Sequence, residues 1–237
     1  MGEIASVRKL VLLPGMDGTG MLFAPLIEAL PDEFEAISIR YPIDRPLSYP
    51  ELAELIRKRL PVPEPFVLLA ESFSTPLAIQ IAAENPLGLL GLILVAGFAT
   101  NPTYSWVRLF SSLIFQPNKC MRAPGFFIER YLLGPGCSPA VVKAVQGAIG
   151  SVSPEVLASR LRLIHACDLR AELAHITVPV LYIQATQDRV VAPRYLSEIV
   201  GTLPDITVAQ IDGPHLLMQK EPQKSAEIIS NFIQQLR

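Results

Sequence analysis

Short apolar runs alternate along the chain with longer stretches in which apolar positions recur at helical spacing. The runs at 9–13, 35–40, 66–70, 91–96, 180–185 and 207–211 read as strands. The stretches near 21–30, 49–60, 75–84, 193–203 and 222–236 read as helices. Proline marks the boundaries: Pro14, Pro31, Pro61, Pro86, Pro179 and Pro204 sit where an element should start or stop. Strand and helix signals in alternation predict an α/β fold with a mostly parallel sheet covered on both faces.

The interval between the fourth and fifth strands is too long for a simple crossover. Residues 101–173 carry helical and aromatic signals, with Trp106, Phe110, Phe115, Phe126 and Phe127 adding apolar bulk. Ser138-Pro139 and Ser153-Pro154-Glu155 read as N-caps followed by proline in the first helical turn. The expectation is a core made of residues 1–100 and 174–237, with 101–173 inserted as a helical cap over the C-terminal edge of the sheet. Extra helices that only pad the fold are the alternative.

Composition changes this picture little. At 237 residues the chain is the size of one domain with an insertion. Half of it is hydrophobic and the mean hydropathy is +0.37, which fits a buried sheet plus an apolar pocket or a surface that meets lipid or a partner. A net charge of −2 gives no footing for nucleic acid. Cys120, Cys137 and Cys167 are too few and too irregular for a disulfide framework or a zinc site, so a reducing, cytoplasmic location is expected. The longest greasy stretch, 87–99, is too short to span a bilayer, and the N-terminus lacks the apolar core of a leader.

Chemistry enters at Ala70-Glu71-Ser72-Phe73-Ser74, between the third strand and the helix after it. A serine on such a turn is lifted off the sheet and set at a helix N-terminus. Its hydroxyl needs a base before it can attack. Strand and helix meet closely there, so the positions two before and two after must be small. Here they are Ala70 and Ser74, where glycines are usual. Ser74 is a weaker candidate nucleophile, because its own frame places Pro76 at a small position. Glu71, beside Ser72, either tunes the site or faces solvent.

Leu13-Pro14-Gly15-Met16-Asp17-Gly18-Thr19-Gly20 ends the first strand. Its glycines allow backbone N–H groups to face a ligand. It lacks the Gly-Lys-Ser/Thr ending of a phosphate loop and the glycine order of a dinucleotide fingerprint. A doubly wound sheet of order 2-1-3-4-5-6 makes strands one and three neighbours at the switch point, where ligands bind. The N–H groups of Met16 and Phe73 then converge as an oxyanion hole.

A base and its orienting acid come last. His215 directly follows the final strand; His165 falls in a helical stretch of the insertion, and His175 lies before the fifth strand on the opposite edge. Asp188 follows the fifth strand, and Asp17, Asp44, Asp168 and Asp212 compete with it less well.

The order Ser72, Asp188, His215 resembles the α/β-hydrolase superfamily over nearly the whole chain. Asp168-Leu169-Arg170, Pro179-Val180-Leu181, Asp188 and His215 are similar to the small carboxylesterases, including the esterase of biotin synthesis. Pro14-Gly15-Met16-Asp17-Gly18 is similar to the corresponding loop of thioesterase domains. The chain departs from the pattern at Ala70 and Ser74, in having no histidine before Gly15, and in lacking the first hairpin of larger members. The resemblance implies a serine hydrolase acting on small-molecule esters or thioesters of apolar acyl groups, with no metal or organic cofactor. Acyl transfer, amide or C–C bond hydrolysis, perhydrolysis, or a binding protein on the same scaffold are the alternatives.

Overall fold

In the computed structural model, residues 9–102, 125–203 and 205–236 are described. Six strands form one sheet: β1 (Lys9–Leu13), β2 (Glu35–Ser38), β3 (Phe66–Glu71), β4 (Leu89–Val95), β5 (Val180–Ala185) and β6 (Thr207–Ile211). They lie in the order β2-β1-β3-β4-β5-β6, every pair parallel. All six C-terminal ends therefore share one edge. β1 pairs on one side with β2, Lys9 opposite Glu35, and on the other with β3, Lys9 opposite Phe66. That register sets the loop after β1 beside the turn after β3.

Successive side chains of a strand point to opposite faces. In β3, Phe66, Leu68 and Ala70 enter one core while Val67 and Leu69 enter the other. Each large side chain so buried contributes roughly 1.5–3 kcal/mol. α1 (Ala24–Ala29) and the C-terminal α10 (Pro222–Gln234) cover the Val67 face. α2 (Tyr49–Arg57) and α3 (Thr75–Ala83) cover the other. α2 starts at a full capping box, Ser48 and Glu51 satisfying each other's backbone N–H.

Between β4 and β5 come α4 (Gly125–Phe127) running into a π-helical stretch Ile128–Leu133, then α5 (Pro139–Gly150), α6 (Pro154–His165) and α7 (Arg170–Leu173). α5 and α6 begin as expected, Ser138 accepting from the Val141 N–H and Ser153 from the Val156 N–H. α8 (Arg194–Thr202) and α9 (Leu217–Lys220) complete the chain.

The expected strands differ at four ends. β2 stops at Ser38, although Ile39 still donates its N–H to the Leu12 carbonyl. β3 runs one residue further, through Glu71. β4 starts at Leu89, because the turn at Pro86–Gly88 closes early, and ends at Val95, because Ala96 takes a φ of 48°. Phe126 is 73% exposed rather than buried bulk, whereas Phe127 packs against Tyr131, ring centroids 4.9 Å apart and tilted by 46°. Trp106, Phe110, Phe115, Cys120 and Pro204 lie outside the described residues. Cys137 and Cys167 are free thiols. Among the described residues no helix is long and apolar enough to cross a membrane.

Candidate active site

Ser72 leaves β3 with a φ of 49°, in the left-handed region that side chains other than glycine rarely adopt. A 3-10 turn, Ser72–Ser74, carries the chain into α3. Thr75 braces the turn: its Oγ donates to the Ser72 carbonyl at 2.7 Å and accepts the Phe98 N–H at 3.1 Å. Pro76 costs nothing in the first helical turn, where an N–H has no intrahelical acceptor.

The structure brings Ser72, Asp188 and His215 together. Ser72 Oγ lies 2.9 Å from His215 Nε2, and His215 Nδ1 lies 2.8 Å from Asp188 Oδ2. Asp188 stands in the turn after β5, where its other oxygen accepts the N–H groups of Val190 (2.7 Å) and Val191 (2.9 Å). His215 stands between β6 and α9 and is buried. An ionised Asp188 places the imidazole proton on Nδ1 and leaves Nε2 to accept from the serine. Burial alone would push the His215 pKa down. The Asp188 carboxylate, through its charge and its hydrogen bond and with help from Glu71, outweighs this and raises it above the ordinary histidine value.

The competing residues are engaged elsewhere. Ser74 is fully buried and donates its hydroxyl proton to the Pro14 carbonyl, so Tyr41 is the donor in their 2.7 Å contact. His165, His175 and Asp44 are exposed. Asp168 pairs with Arg170, and Asp212 accepts from Thr186 and Gln187. Asp17 is buried in the glycine loop and accepts both the N–H and the hydroxyl of Thr19.

That loop packs against the serine turn. Gly18 donates its N–H to the Gly15 carbonyl at 3.0 Å, and Tyr41 donates to the Gly18 carbonyl at 2.8 Å. Gly18 has a φ of +68°, and a Cβ there would lie 2.7 Å from the Arg160 guanidinium, so only glycine fits. Arg160, from α6, is buried; its Nη1 donates to the Met16 carbonyl at 2.7 Å and its Nη2 to the Pro42 carbonyl at 2.9 Å. Its guanidinium lies over the rings of Tyr41 and Phe73 at 5.7 and 5.9 Å. Phe73, the second residue of the serine turn, has an N–H with no acceptor in the helix that follows.

Glu71 does not face solvent; it is 1% exposed. One oxygen accepts the Gln219 side-chain N–H at 3.1 Å, and the carboxyl also takes the Gly15 N–H. Burial pushes its pKa up to about 7, against the Gln219 hydrogen bond; Asp17 adds to the rise while His215 and the Gly15 N–H oppose it. Neither Glu71 nor Arg160 was assigned a place at the site by sequence reasoning. The signal for Glu71 was its position beside Ser72; Arg160 gave none.

Beside Ser72 lies a cavity of ≈ 50 Å³ bordered by Gly15, Met16, Asp17 and His215. Its remaining walls are Leu22, Leu132, Val145, Ile149, Leu157 and Leu216. Four of these six come from the segment between β4 and β5. Among the described residues, no three His, Cys, Asp or Glu side chains gather as metal ligands would.

A family model described as the alpha/beta hydrolase family matches residues 10–228. No curated protein sequence matches the chain. Solved structures do. An enol-lactonase from Burkholderia xenovorans superposes with a TM-score of 0.82 at 18% identity, over 99% of this chain and 94% of that one. A hydrolase from Pseudomonas aeruginosa gives 0.80 at 19% identity, over 98% and 92%. A lipase-esterase related protein from Clostridium acetobutylicum gives 0.78 at 14% identity, over 98% and 97%. At such identities the likeness is one of fold.

Proposed function

The chain belongs to the alpha/beta hydrolase family, and from that premise we propose that it is a serine hydrolase cleaving carboxylic esters, or thioesters, of apolar acyl groups. The observation that carries this reading is the continuous relay from Ser72 Oγ through His215 to Asp188, at 2.9 and 2.8 Å, opening on an apolar cavity.

Ser72 Oγ attacks the acyl carbonyl carbon while its proton passes to His215 Nε2. The carbonyl oxygen becomes an oxyanion held by the N–H groups of Met16 and Phe73. Each such donor is worth roughly 2.7–4 kcal/mol of barrier. Asp188 steadies the imidazolium. The tetrahedral intermediate collapses, His215 gives its proton to the departing alcohol or thiol, and an acyl-Ser72 ester remains. Water then attacks that ester, His215 taking its proton, and the acid and the free hydroxyl are restored. Every step uses groups of the chain and water.

Residues 101–173 serve as the cap in this reading, supplying Leu132, Val145, Ile149 and Leu157 to the acyl cavity. A cavity of ≈ 50 Å³ takes a short acyl chain, on the order of four heavy atoms. The test has two parts. A fluorophosphonate probe followed by peptide mass spectrometry should place the label on Ser72. A panel of p-nitrophenyl esters and acyl-CoA thioesters should show turnover that peaks at short acyl chains. Well-folded protein that takes no label and turns over no ester would favour a binding protein on this scaffold instead.

A further inference from the structure

The loop donor to the oxyanion is the N–H of the Gly15–Met16 peptide, in the reading just given. The peptides on either side of it are each held by a buried side chain. On one side, Ser74 donates its hydroxyl to the Pro14 carbonyl. On the other, Arg160 donates to the Met16 carbonyl. A peptide whose two neighbours are fixed has little freedom left to turn its own N–H.

Arg160 is in an expensive position. It is 3% exposed, and among the described residues no carboxylate lies within ion-pair distance of it. Taking a guanidinium out of water without such a partner is unfavourable, and ring faces and carbonyls offset it only in part. Its two terminal nitrogens grip carbonyls from separate loops, Met16 after β1 and Pro42 after β2. The planar fork suits this two-point grip; a lysine has one nitrogen and cannot span both carbonyls. Gly18 leaves the guanidinium the space it occupies.

We propose that Arg160 and Ser74 are positioning residues that clamp the oxyanion loop from opposite sides, so that cap helix α6 sets the direction of the Met16 N–H. The inference rests on the serine-hydrolase reading and deepens it. It also gives the departure from the usual elbow glycine a purpose: the hydroxyl at position 74 reaches the loop as no glycine would.

The experiment compares Arg160→Lys, Arg160→Met and Ser74→Ala with the wild type. Three quantities are measured: kcat and KM for a short-chain p-nitrophenyl ester, and the inhibition constant of a short alkyl trifluoromethyl ketone, whose adduct with Ser72 carries the same oxyanion. Ser72 labelling by fluorophosphonate is followed throughout. The expected result is a fall in kcat of about 10-fold or more in each variant. KM should stay within about 2-fold, and affinity for the ketone should fall by about the same factor as kcat. Labelled, active wild type with an Arg160→Lys variant of unchanged kcat would overturn the clamp, as would lost kcat with unchanged ketone affinity. Ser74→Ala removes the hydroxyl that holds the Pro14 carbonyl, with Tyr41→Phe as the control for the Tyr41 hydroxyl that Ser74 also accepts. The proposal thus stays testable even if the arginine variants do not fold; unchanged kcat in Ser74→Ala, or an equal loss in Tyr41→Phe, also overturns it. Wild type that takes no label and has no turnover refutes the hydrolase reading itself, a distinct outcome.

Discussion

Glu71→Gln removes a single titrating proton from a buried site and keeps the side chain's shape. In the unfolded chain a glutamate loses its proton near 4.5; in the folded protein this one does so only at about 7. Between those pH values the folded state holds a proton that the unfolded state has released. Stability therefore falls as pH rises through the window. The contribution is fully present below about 4.5 and gone above about 7. At 1.36 kcal/mol per pKa unit the total is about 3 kcal/mol. The glutamine variant lacks this decline, so its stability relative to wild type should climb by about that much from pH 4 to pH 8. His215, raised in the same direction and partly by Glu71, adds to the difference with the same sign. Urea unfolding followed by circular dichroism at half-unit pH steps measures it. A difference that stays flat across the range would refute the reasoning, since it would mean that Glu71 ionises like an exposed carboxyl despite its burial.

Ser72→Ala and His215→Ala should each lower kcat for a p-nitrophenyl ester by on the order of 10⁴-fold or more, with a melting temperature close to wild type. kcat/KM should rise with pH through a pKa above the ordinary histidine value, because only neutral His215 accepts the serine proton and Asp188 holds the ring protonated longer. Asp188→Asn should cost about 10³-fold or more and move that limb to lower pH; an unmoved limb would take the titration away from His215. Leu157→Ala, at a buried cavity wall, should cost about 2–5 kcal/mol of stability in urea and shift the preferred acyl chain to longer esters.

Much of the sheet was legible because its signals are local. β1, β5 and β6 have the bounds their apolar runs and flanking prolines predict. Strand order followed from parallel topology, and with it the approach of the glycine loop to Ser72. The meeting of Asp188 and His215 with Ser72 was readable because each directly follows a strand whose C-terminal end lies on the edge where Ser72 stands. What escaped depends on contacts distant in sequence. Arg160 sits on a helix with charged neighbours and so looks like a solvated residue. Its acceptors are carbonyls 144 and 118 positions away, and carbonyls leave no mark in a sequence. Ser74 looked like a blemish in a glycine pattern because its acceptor, the Pro14 carbonyl, is equally invisible. The short α7 and α9 carry too few residues for a periodicity to show. Buried Glu71 takes a hydrogen bond from Gln219, 148 positions away, which no local pattern announces.

The left-handed backbone at position 72 has an implication for anyone reshaping this molecule. Holding a side-chain-bearing residue there costs on the order of 1 kcal/mol or more, and a glycine would relieve it. A screen that rewards heat tolerance alone would favour that glycine and silently discard the proposed nucleophile. Directed evolution of this scaffold therefore has to select for turnover and thermal survival together, or hold that one codon constant.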